Sequence, residues 1–209
     1  IDGTDAAIAI TADKMALSGG TIGSAAGDSI TLKSATASNA VSLGVAGDAT
    51  ASTLELSAAE LNTITGGLTV GSTVSTGAIT VGGALTTTTP TSLTLVNNTG
   101  GIAVSNAVNT GAAALTLTAN GGGAAAGAIT GNGAITAGSL TANAATGITL
   151  GGASTVQTVS LTNTTSGNIS YTGSAVGGAN TLTVSGSNTG TAAGGSFTVA
   201  ETTGGLTIG

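Results

Sequence analysis

The sequence predicts an all-β fold of the parallel β-helix or β-solenoid kind, and three observations predict it. Short triplets with apolar residues at both ends and Thr or Ser between them recur along the chain, as in Leu68-Thr69-Val70 and Ile79-Thr80-Val81. Clusters of Gly, Asn and Ser separate the triplets, as tight bends require. Aromatic residues are nearly absent: one Phe, one Tyr and no Trp stand among 209 residues, 40% of them hydrophobic. A core of ordinary width draws on rings that each bury roughly 150–250 Å². Without them the core must be thin and built from small aliphatic side chains packed regularly.

Each triplet has period 2, so its outer side chains share one face and the residue between them points to the other. In chain order the strands are expected at Ile30-Thr31-Leu32, Val41-Ser42-Leu43 and Leu54-Glu55-Leu56. Ser57-Ala58-Ala59-Glu60 then has the spacing of a capping box and predicts about one turn of helix interrupting the coil. Strands resume at 68–70, 79–81, 93–95, 102–104 and 115–117. Between 118 and 147 the pattern loosens into Ala and Gly, with Ile129, Ile135 and Leu140 as anchors. It returns at 148–150, 159–161, 169–171, 182–184, 197–199 and 206–208. Alternate triplets start at 30, 54, 79 and 102, and at 41, 68 and 93. They predict one solenoid over 1–209, with coils of roughly 20–27 residues.

Stacked coils would place Leu68, Val70, Ile79, Val81, Leu93, Leu95, Ile102, Val104, Leu115 and Leu117 in one interior ladder. Burying a Val, Leu or Ile contributes about 1.5–3 kcal/mol, so one triplet is weak alone and many stacked triplets are not. The alternative is an antiparallel β-sandwich, whose strands also recur at short intervals. A sandwich usually has longer strands and a core Trp or Tyr.

Composition excludes several functions. Two lysines and no arginine, at a net charge of −6, cannot neutralise a phosphate backbone, so no nucleic-acid partner is expected. No apolar run approaches the roughly 18 residues of a membrane-spanning helix, and 1% aromatic residues cannot build the girdles of a membrane barrel. Without His or Cys, Ser-His-Asp and Cys-His catalysis and His-based zinc sites have no residues to use. Of the scattered carboxylates only Glu55 and Glu60 are close, and glutamates beside a capping turn are ordinarily solvated. No enzyme activity and no cofactor are expected.

Weaker candidates remain. Asp2-Gly3-Thr4-Asp5 resembles a scrap of a calcium loop, although calcium takes six or more oxygen ligands. Asn97, Asn163 and Asn168 meet the N-x-S/T rule for glycan attachment, but Asn at bends more commonly forms turns or stacked amides. A Thr/Ser face could bind ice or carbohydrate. Against this, the outward residue is usually a single Thr or Ser per strand, and Tyr171 and Phe197 are the sole rings on which a sugar could stack.

The segments "MALSGGTIGS" (15–24) and 54–108, the latter most specifically in "SAAELNTIT", "LTVGS", "GAITV" and "SLTL", resemble repeat regions of very large bacterial surface exoproteins of the filamentous-haemagglutinin type. The resemblance implies a right-handed β-helix shaft, exported and displayed as a surface fibre or adhesin, whose partners would be adjacent repeats, further copies of itself, or cell-surface glycans. Exposed strands at a solenoid's ends invite pairing, and the sequence shows no polar cap at either end. Ile1 is not an initiator Met, so the expectation is a mature or excised piece whose ladder continues into further repeats or another copy.

Overall fold

The structure is a computed structural model, and it describes residues 7–23, 26–120, 126–174, 181–189 and 195–209. In chain order the strands are β1 (Ala7–Thr11), β2 (Ser29–Lys33), β3 (Ala40–Leu43) and β4 (Thr53–Leu56), followed by a helical turn, α1 (Ala58–Leu61). Next come β5 (Gly66–Gly71), β6 (Ile79–Val81), β7 (Leu85–Thr86), β8 (Pro90–Val96), β9 (Ile102–Ala103), β10 (Val108–Asn109) and β11 (Ala114–Ala119). The chain ends with β12 (Ile129–Gly131), β13 (Ile135–Ala144), β14 (Ile148–Asn163), β15 (Ile169–Ser174), β16 (Thr181–Asn188), β17 (Phe197–Glu201) and β18 (Gly205–Ile208). All eighteen join one continuous sheet.

Every pairing between these strands is parallel, so the fold is a parallel β-solenoid and the sandwich alternative is excluded. The sheet curls so that consecutive strands fall on different sides and stack in three columns. The first column runs β1, β2, β5, β8, β11, β13, β14, β16, β18, with Ile30 on Leu68, Leu93, Leu115, Leu140 and Val159 in turn. The second runs β4, β3, β6, β9, β12, β14, β15, β17, aligning Leu54, Val41, Ile79, Ile102, Ile129, Ile148, Ile169 and Phe197. The third is shorter, from β7 through β10 to parts of β13, β14 and β15. Strand β14 is long because it bends around two corners and supplies a rung to all three columns.

The two expected series of triplets are redistributed at one place. Ile30 stacks on Leu68 rather than on Leu54, and Leu54 stacks on Val41. The coil containing 44–65 is longer than the others because it holds an extra strand and α1. Strand β4 turns back one level and pairs with the edge of β3 opposite β6. Ser57 caps α1 by accepting from the Glu60 amide at 3.2 Å, while the Glu60 carboxylate accepts from the Ser57 amide at 2.8 Å. The same carboxylate accepts from the Leu17 amide at 3.2 Å, tying the insertion to the first coil.

The interior is one contiguous aliphatic column. Leu68, Val70, Ile79, Val81, Leu93, Leu95, Ile102, Val104, Leu115 and Leu117 are each no more than 2% exposed. Through the Ala/Gly-rich stretch the described residues carry the columns onward, with Ile129 on Ile102, Ile135 on Val108 and Leu140 on Leu115. Glycine is required where corners of successive coils touch. At Gly131, with φ of +141°, a Cβ would lie 2.0 Å from the Val104 carbonyl oxygen.

Candidate functional site

Polar side chains divide into two groups by what they bind. Those at the corners close on the protein. Asp13 accepts from the Ser34 hydroxyl at 2.5 Å, the Thr36 amide at 2.7 Å and the Thr36 hydroxyl at 2.8 Å. These bonds, the Ser34 hydroxyl first, favour the charged form and lower its pKa from 3.8 to about 2. Glu55 accepts from the Thr50 amide and hydroxyl at 3.1 and 2.7 Å and from the Ala49 amide at 2.7 Å, which lowers its pKa as well. Glu55 and Glu60 thus each close their own turn. Lys14 donates to the Asp48 carbonyl and lies 3.9 Å from its carboxylate.

The asparagines also act at corners. Asn97 is fully buried, donating to the Gly77 carbonyl and accepting from the Gly100 amide at 2.7 Å. Asn163 is fully buried as well. Its oxygen accepts from the Gly147 amide at 2.8 Å, and its nitrogen donates to the Ser166 carbonyl at 2.7 Å and to Asn188 at 3.0 Å. The glycan expectation fails at both, because each amide nitrogen is enclosed and engaged. Asn168 is exposed, with its oxygen accepting from the Ser196 amide at 3.0 Å. Asp2 and Asp5 lie outside the described residues; among the described ones no three metal-ligating side chains come together.

Tyr171 is not a sugar platform. It points inward between Leu150 and Val199 of the second column and is 1% exposed. Burial pushes its phenol up to about 12, with the Ser154 hydroxyl opposing and the Glu201 charge adding to the shift. Room for the ring comes from Gly173, where a Cβ would lie 2.9 Å from the ring edge.

The second polar group lies on the outer face of the first column. The pairings align Thr69, Thr94, Thr116, Thr141, Ser160 and Ser185 in one file. On one side of it Ser139, Thr158 and Thr183 form a second file, and on the other Thr118, Asn143, Thr162 and Ser187 form a third. From β11 to β16 the rungs thus present two or three polar side chains each, where single outward Thr or Ser residues are expected from the triplets. Successive rungs are about 4.8 Å apart and neighbours along a strand roughly 6.6 Å apart. Among the described residues these hydroxyls have no protein partner, except that Ser185 lies 3.5 Å from the Val159 carbonyl. Corner hydroxyls such as Thr63 and Thr110, by contrast, donate to backbone carbonyls at 2.7 and 2.9 Å.

The last coil leaves an open end. Phe197, Leu206 and Ile208 are 39%, 41% and 67% exposed. With Val184, Val199 and Gly209 they line a cavity of about 390 Å³. Rungs, corners and open end together define the chain as a parallel β-solenoid. No protein-family model, no curated protein and no solved structure matches it.

Proposed function

We propose that this chain is a non-catalytic structural shaft of a secreted bacterial surface fibre or adhesin of the filamentous-haemagglutinin type, giving reach and rigidity outside the cell. The observation that carries the reading is the ladder itself: nine first-column strands paired in parallel over a buried aliphatic interior. Stiffness along the axis follows from backbone hydrogen bonds that join each coil to the next around a dry aliphatic interior. Strand β18 sets Leu206 on Leu182 and Ile208 on Val184, so a further coil or another copy would extend the column by the same kind of contact.

Electron cryomicroscopy of the purified protein tests this. Filaments with a repeat near 4.8 Å along their axis are the expected result for end-to-end stacking, and rods of roughly 45 Å for single segments. Compact particles lacking that repeat would overturn the reading.

A further inference from the structure

We propose that the hydroxyl face of the first column, from β11 to β16, binds the ordered water lattice of an ice surface. Three features favour that ligand. The face is a two-dimensional lattice, about 4.8 Å by roughly 6.6 Å, repeated without a register shift from Leu93 through Leu115, Leu140, Val159 and Val184. Its hydroxyls are half-exposed or exposed and, Ser185 apart, unbonded to the protein, so each of the others keeps one donor and two acceptor positions for an external partner. Residues 61–200 contain no Asp, Glu, Lys or Arg, so no charged hydration shell interrupts the lattice.

Other ligands suit this face less well. Sugar recognition by ring stacking has no ring here, because Tyr171 is interior and Phe197 stands on the second column at the open end. A protein partner would seek an apolar or charged patch, and this region offers hydroxyls and an amide. Thr116, Thr118, Thr141, Thr158, Thr162 and Thr183 add a methyl beside the hydroxyl, so more than half of the positions combine an apolar contact with an anchor for water. Water held at fixed intervals on a stiff sheet has already lost the freedom that adsorption to a crystal would remove.

The test measures thermal hysteresis and ice-crystal shaping by the full chain on single ice crystals in a nanolitre osmometer. Wild type should separate melting from freezing and facet the crystal. The double variant Thr116→Lys with Thr141→Lys should reduce the gap at least fivefold, whereas Thr149→Lys, on the outer face of the second column, should leave it unchanged. Circular dichroism checks the fold of each, and Thr116→Val, which keeps the shape and removes one hydroxyl, serves if the double variant unfolds; it should lower the gap measurably. Absence of any ice effect from wild type overturns the proposal, as does equal loss from Thr149→Lys. Depletion by insoluble cellulose without an ice effect also overturns it and assigns the face to polysaccharide. None of these failures touches the shaft reading, which depends on the rungs and the open end.

Discussion

The first two coils and the coils after them solve the same stacking problem with different side chains. Residues 7–60 hold both lysines and Asp13, Asp28, Asp48, Glu55 and Glu60, whereas residues 61–200 hold no charged side chain. In the first region the coil path is irregular, with an inserted strand and a helical turn, and carboxylates gather the amides that this path leaves unpaired. In the second the coils follow one another closely, backbone groups pair from rung to rung, and Asn97 and Asn163 satisfy the corners with neutral amides. Charge is used where geometry departs from the repeat. Where the repeat holds, hydroxyls face outward and aliphatics inward.

The strongest way to break this contrast is to place a charge inside the regular region. Leu95→Asp or Val81→Asp would bury an unpaired carboxylate at a position no more than 1% exposed and should abolish folding, seen as loss of the β signal in circular dichroism. Next in size is Gly131→Ala, which adds a methyl 2.0 Å from a carbonyl oxygen at a φ unfavourable to side chains. It should cost about 1–3 kcal/mol in denaturant unfolding. In the irregular region Ser57→Ala removes half of the capping box and should cost about 1 kcal/mol.

Acid sharpens the contrast further. The Asp13 pKa falls from 3.8 to about 2 in the folded chain, so its bonds stabilise the fold above the unfolded value and that stability is lost as pH drops from about 4 toward 2. Protection of the Thr36 amide against hydrogen exchange, taken relative to the intrinsic rate at each pH, should fall over that window, while protection at Thr94 and Thr116, far from any carboxylate in sequence, should hold. The smallest effect belongs to Thr80→Ser, an outward substitution expected within about 0.5 kcal/mol of wild type by thermal melting. Equal damage from Thr80→Ser and Leu95→Asp would dissolve the distinction between inward and outward positions.

Much of the fold is legible in the triplets, because alternation fixes which side chain points inward whatever lies above or below it. The helical turn is legible for the same reason: Ser57 and Glu60 meet through local geometry. Which triplet stacks on which is a long-range matter, and the insertion at 44–65 displaces the count, so Leu54 falls under Val41 instead of between Ile30 and Ile79. The width of the hydroxyl face has the same origin. Thr118, Asn143 and Thr162 lie beyond their triplets and become a file once strands β11, β13 and β14 are aligned. Asn97 and Asn163 carry a glycan-acceptor pattern, and their enclosure depends on Gly77 and Gly147, residues from other corners.

The returning strand β4 changes how the molecule can come apart. A solenoid of simple winding can unravel from either tip, each turn peeling free before the next is disturbed. Here residues 53–56 stack back on residues 40–43, which precede them in the chain, against the direction in which the later coils advance. Peeling away β1 leaves β4 latched against β3, and β4 cannot leave without opening the loop that begins after Leu43. Residues 40–56 thus form a clasp in which β3 and β4 open together, a constraint that the one-after-another winding of the later coils does not impose.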